Sequence, residues 1–161
     1  MTSELILDDL YRHASKRPDA RAVVEVDAGE SVRELTWSAL AHQVHGVAAT
    51  LESLGVGNGD PVAFQLPNQI NFIVIALATL RLGAVCEPLM PIFRERELSF
   101  MLRESGARVL FVPGRFRGRD YAAMASGLKA ELPLLEHVVV VDGDAPANDA
   151  APAAPSPKWS M

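Results

Sequence analysis

Gly55-Val56-Gly57-Asn58-Gly59 has the glycine density of a nucleotide-binding turn. A dinucleotide fingerprint needs its glycines after a strand and at the start of a helix, so that the helix N-terminus faces phosphate. Here a helical pattern precedes the glycines and a strand pattern follows them. They therefore read as a helix stop and a turn. No GxxxxGK[ST] phosphate loop exists, and Ser126-Gly127-Leu128-Lys129 lies inside a helical pattern where it cannot wrap an anion. His42 and His45 are three apart on one helix, but no third ligand stands at a usable spacing; His13 and His137 are scattered, so surface or core-edge roles fit better than metal binding. Cys86 sits in an apolar strand pattern and reads as an inert small hydrophobe. Arginines concentrate at Arg94, Arg96, Arg103, Arg108, Arg115, Arg117 and Arg119. Glu95, Glu97 and Glu104 interleave with the first of them, as on a solvated helix face. The segment Phe111 to Arg119 follows a strand's C-terminal end, where open α/β sheets bind ligands. It reads as a surface loop capping the next helix, with an anion site as the alternative. No catalytic, cofactor-binding or metal-binding residue is assigned.

The elements that would position these residues alternate in type. Ser3 can cap a first helix with Ile6, Leu10 and Ala14 on one face, limited by Pro18. Ala22 to Asp27 and Val32 to Thr36 flank the turn 28–31 as a β-hairpin. Thr36 can cap a second helix whose stripe runs through Leu40, Val44, Val47, Ala48, Leu51 and Leu54 to a stop at Gly55. Strands follow at Val62 to Leu66, Ala84 to Pro88, Arg108 to Val112 and His137 to Val141. Helices separate them at about Gln69 to Leu82, Arg94 to Glu104 (with Leu98, Met101 and Leu102 inward) and Gly118 to Glu131 (with Tyr121, Met124, Ala125 and Leu128 inward). Apolar strands alternating with helices imply an α/β fold. The expectation is an open, mainly parallel sheet of about four strands with flanking helices, preceded by a helix and a β-hairpin.

Composition sets outer bounds. The 161 residues are 49% hydrophobic, enough for one domain with a core, and the net charge of −5 argues against nucleic acid as a main partner. One cysteine excludes an internal disulfide and suits a reducing cytoplasm. The start MTSELILDDLYRH lacks a signal-peptide pattern, and the apolar run Phe72 to Cys86 is shorter than the roughly 20 residues a membrane span needs. From residue 143 the chain turns rich in Ala, Pro and Asp without periodicity. The division expected is 1–142 as a partial subdomain and 143–161 as a disordered tail, in which Trp159 is either a chance aromatic or a docking anchor.

Several segments together resemble the start of the AMP-forming adenylating enzymes, the acyl-CoA synthetase superfamily. They are Leu7-x-x-Leu10-x-x-x-Ala14-x-x-x-Pro18-Asp19-x-x-Ala22-Val23, Leu35-Thr36-Trp37-x-x-Leu40, Leu54-Gly55-Val56-x-x-Gly59-Asp60-x-Val62, Leu66-Pro67-Asn68-x-x-x-Phe72 and Leu82-Gly83-Ala84-Val85-x-x-Pro88-Leu89. Glu97-Leu98 and Ser105-Gly106-Ala107 close the series. The segment from Pro91 to Leu98, with Pro113 to Tyr121, is most similar to cyclohexanecarboxylate-CoA and medium-chain fatty acid ligases. The resemblance implies an incomplete subdomain of the adenylating enzyme's N-terminal domain. It also implies the family reaction: ATP and a carboxylate give an acyl-adenylate, and coenzyme A then displaces AMP. ATP, Mg²⁺ and CoA are implied for the full-length family and none is expected on this chain. The family's Ser/Thr/Gly-rich loop ending in Lys-Gly, its aromatic-Thr-Glu segment, its ribose-binding Asp and its C-terminal lysine match no position here. The expectation is therefore a truncated acyl-CoA synthetase, inactive alone and cytoplasmic. The alternatives are a non-catalytic module that binds an acyl ligand or another protein, and one half of a split enzyme whose partner is a separately encoded remainder.

Overall fold

A computed structural model describes residues 5–26 and 32–142. The expected Ser3 cap, the turn at 28–31 and the tail with Trp159 lie outside them. Helix α1 (Ile6–Lys16) leads into the antiparallel hairpin of β1 (Arg21–Val26) and β2 (Val32–Thr36). The backbone N–H of Leu5 donates to the Asp8 carboxylate 3.2 Å away, so the first helix is capped from within its own first turn. Leu10 is buried as expected, but Ile6 is 60% exposed because only the far side of α1 meets the body of the protein.

Helix α2 (Trp37–Ser53) starts where Thr36 Oγ1 accepts from the Ala39 N–H at 3.2 Å, and it buries the predicted stripe from Leu40 to Leu51. Gly55 follows at φ 79°, a left-handed conformation that strains any residue with a Cβ. Four parallel strands then alternate with helices: β3 (Pro61–Phe64), α3 (Ile70–Arg81), β4 (Val85–Pro88), α4 (Glu95–Ser105), β5 (Val109–Val112), α5 (Tyr121–Glu131) and β8 (His137–Val140). A two-strand hairpin, β6 (Arg115–Phe116) with β7 (Arg119–Asp120), sits between β5 and α5. The sheet order is β4-β3-β5-β8.

Period-two alternation splits the sheet's side chains between two cores. Val62, Phe64, Val109 and Phe111 face α2 and α3. Ala63, Leu110 and Val112 face the opposite way, onto Leu98 and Leu102 of α4 and Tyr121, Ala125 and Leu128 of α5. Both faces of the central strands are covered, which is why β5 is apolar throughout.

The structure corrects the sequence reading in three places. The strand carrying Cys86 is a sheet edge: Val85 is 52% exposed and Cys86 is half-buried, because β4 has a neighbour on one side only. The last main helix begins at Tyr121 rather than Gly118, because residues 115–120 form the small hairpin and Asp120 caps the helix by accepting from the Ala123 N–H at 2.9 Å. Met101 and Met124 pack at the margins of their core without being fully buried.

Candidate functional site

The chain passes from β3 to β4 on one side, then crosses back over β3 to β5 on the other. Such a reversal leaves a crevice at the carboxyl ends of the strands, the usual ligand position in open α/β sheets. A cleft of about 660 Å³ lies there. Pro67, Asn68 and Gln69 after β3, Met90, Pro91 and Ile92 after β4, Phe116 and Arg117 after β5, and Glu25 and Val26 of the hairpin line it.

Each wall has a local cause. Glu25 accepts from the Ile70 N–H at 2.7 Å, so the α3 N-terminus is capped by a carboxylate from the hairpin. That contact also ties β1 to the body of the protein, and it occupies the helix end that would otherwise attract an anion. On the opposite wall the backbone of residues 89–94 is held from beneath. Gln65 Nε2 donates to the carbonyls of Met90 (2.9 Å) and Phe93 (3.1 Å). The Tyr121 hydroxyl donates to the Pro91 carbonyl at 2.9 Å, and Arg94 Nη1 donates to those of Pro91 and Phe93. With its carbonyls held inward, this loop turns Met90 and Ile92 outward, 56% and 69% exposed. The third wall is the arginine hairpin. Arg117 (φ 48°) and Gly118 (φ 77°) form its two-residue turn, and both positive φ values fit the twist of a tight hairpin. Arg117 stacks over Phe116 at 5.3 Å, and Arg115 pairs with Asp120 at 3.4 Å.

The opposite end of the sheet is differently built. Arg108 Nη1 donates to the Gly55 carbonyl at 2.7 Å and approaches Asp60 at 3.5 Å, while Nε and Nη2 form a paired contact with Glu136 at 3.0 and 2.9 Å. Asp60 also accepts from the Gly57 N–H at 2.8 Å. This network, with the Glu136 hydrogen bond foremost, holds the Glu136 carboxyl below its ordinary range and pushes the Arg108 guanidinium above its own. Gly55, Gly57 and Gly59 thus stand at the amino ends of the strands, away from the crevice, in keeping with their reading as turns.

The remaining candidates separate. His42 is exposed and His45 is buried on α2. Among the described residues, no group of three His, Cys, Asp or Glu side chains is placed to hold a metal ion. Burial pushes the Cys86 thiol up, and its Sγ donates to the Ala76 carbonyl at 3.5 Å. Ser126 bonds back to the Ala122 carbonyl inside α5 at 2.9 Å. His13 lies against Trp37, with ring centroids 4.6 Å apart. Glu25 and Gln65 escaped the sequence reading. Gln65 had a detectable signal: one long polar side chain in an apolar strand buried on both faces must find partners inside. Glu25 had none, since its partner lies 45 residues away.

Residues 10–160 match the sequence model of the family described as AMP-binding enzyme. The chain belongs to the AMP-binding enzyme family. It is 39% identical over 143 residues to a medium-chain fatty-acid–CoA ligase of Escherichia coli K12, covering 89% of this chain and 25% of that protein. A salicyl-AMP ligase / salicyl-S-ArCP synthetase of Mycobacterium tuberculosis is 37% identical over 139 residues, 86% of this chain and 24% of the relative. Among solved structures, an acetoacetyl-CoA synthetase from Streptomyces lividans superposes with a TM-score of 0.74 at 33% identity, over 91% of this chain and 25% of that one. The N-terminal domain of FACL13 from Mycobacterium tuberculosis shares the fold (TM-score 0.71, 24% identity, 81% of this chain and 32% of that one). The chain spans about a quarter of the length of the curated relatives it matches.

Proposed function

We propose that this chain is the first α/β portion of an AMP-dependent acid–thiol ligase, acting in the cytoplasm on a carboxylic acid of the medium-chain fatty acid class. In the reaction proposed for the whole enzyme, a carboxylate oxygen attacks the α-phosphorus of ATP and releases pyrophosphate. The thiol of coenzyme A then attacks the acyl carbon and releases AMP. The contribution of the described residues is the four-stranded sheet and the walls of the cleft, with no group of their own assigned to ATP, Mg²⁺ or the acyl carbon. The observation that carries the reading is the 39% identity to a medium-chain fatty-acid–CoA ligase across 89% of the chain. The family motifs quoted above fall on turns, caps and core positions such as Gly55, Thr36 and Leu98.

The test is octanoate-dependent ATP–pyrophosphate exchange. The 161-residue chain alone is expected to stay at background. The same chain fused to the remaining three quarters of the Escherichia coli ligase is expected to exchange. Exchange by the chain alone, or an inert fusion that is nevertheless folded, overturns the proposal.

A second reading is a non-catalytic module that holds an acyl ligand. The exposed Met90 and Ile92 on the cleft favour it. Octanoate binding to the isolated chain, unaffected by ATP and weakened in Ile92→Ser, is its expected signature.

A further inference from the structure

Gln65 is 0% exposed and stands one residue beyond β3, one of the two central strands of the sheet. Its backbone N–H continues the ladder to the Phe111 carbonyl at 2.9 Å. Its side chain points to the face of α4 and α5, as alternation after Phe64 requires. The orientation of the amide is settled by its neighbours. Two carbonyl oxygens, those of Met90 and Phe93, lie within 3.1 Å of one terminal atom, so that atom is the NH₂ group. The other terminal atom, Oε1, accepts from no described residue.

That arrangement is a poor bargain for stability alone. Each polar atom placed in this core must be satisfied there, whereas leucine would fill similar volume with none to satisfy. The compensation lies in the fork of two donors, which grips both ends of the turn closed by the Phe93 N–H donating to the Met90 carbonyl at 3.1 Å. Tyr121 and Arg94 secure the middle of the same turn. We infer that Gln65 is a positioning residue for the cleft: it fixes the loop 89–94 so that Met90 and Ile92 stand open toward the ligand end of the sheet. Only the significance of that cleft rests on the ligase reading; the grip on the loop does not.

Amide hydrogen exchange on the 161-residue chain reads this directly. In Gln65→Leu the Phe93 amide is expected to exchange about tenfold faster or more, because both hydrogen bonds that hold its turn from beneath are lost. The Leu89 amide, held by the Phe64 carbonyl, is expected to change far less. Gln65→Glu separates positioning from packing. Burial and the two facing carbonyls raise the titration of the introduced carboxyl; once ionised it has no proton to donate, so the loop is expected to open as pH rises through that raised value. On acidification the neutral acid donates to one carbonyl, and Phe93 protection is expected to return relative to wild type at the same pH. Three results overturn the inference: unchanged Phe93 protection in Gln65→Leu, loss of the whole fold in that variant, or a Glu variant whose loop ignores pH. None of them bears on the exchange assay above, so the two proposals fail separately.

Discussion

At the amino ends of the four strands, Arg108 gathers Gly55, Asp60 and Glu136 into one charged knot, and the glycines complete tight turns around it. At the carboxyl ends, Gln65, Tyr121 and Arg94 hold a loop from below and leave Met90 and Ile92 facing out beside Glu25, Asn68 and Arg117. The polar groups are similar in kind, but at the first end they satisfy one another. At the second they hold backbone from beneath and leave the apolar Met90 and Ile92 side chains exposed. Substitutions at the amino end should therefore register mainly in global stability, and those at the carboxyl end mainly in local order and binding.

Gly55→Ala is the sharpest probe of the first half of that contrast. At φ 79° a Cβ is strained, and it would come within 3.2 Å of the Arg108 guanidinium. A loss of about 1–2 kcal/mol in denaturant unfolding is expected, with exchange at the Phe93 amide unaltered beyond the global change. Equal disturbance at both ends would erase the distinction.

Glu25→Ala probes the other end. It removes the cap of α3 and the tether of the hairpin, for about 1 kcal/mol of stability. The diagnostic consequence is local: amides of the first turn of α3 and of β1 should lose protection while those around Arg108 keep theirs. Protection lost equally throughout the sheet would place Glu25 in the common scaffold.

The smallest effect is on pH dependence. Arg108 lowers the Glu136 carboxyl in the folded state, so Glu136 adds stability above the ordinary carboxylate range. That contribution drains away as pH falls through the lowered value. Wild type should thus lose more stability than Glu136→Gln on acidification through this range, as unfolding midpoints would measure. Parallel curves for the two proteins would show the knot to be electrostatically neutral.

The contrast between the ends was half legible in the sequence. Helix–strand alternation, the Thr36 cap and the Gly55 stop follow from periodicity and residue type, which are local. The placing of the glycines away from the crevice also followed, because their order relative to helix and strand decides which end they occupy. Edge status did not: Val85 reads as apolar strand wherever it lies, and only strand order leaves it exposed. Nor did the hairpin 115–120, whose strands of two residues are too short to carry a period. The cleft walls depend on Glu25 reaching Ile70 and on Gln65 reaching Met90, contacts that exist only after the sheet has assembled.

The Arg108 knot also answers an ambiguity hidden in the last strand. From Val138 to Val141 every residue is valine, so sliding β8 by one place along β5 would exchange Val138 for Val139 between the two cores at little cost in apolar burial. The hydrophobic pattern is degenerate there and carries no address. Arg108 supplies one. Its carbonyl accepts from the N–H groups of both Glu136 and His137 at 2.9 Å, and its guanidinium clasps the Glu136 carboxylate. A slip of one residue would break that pairing. A single charged pair at the strand's entrance thus acts as the punctuation mark from which a run of identical letters is counted.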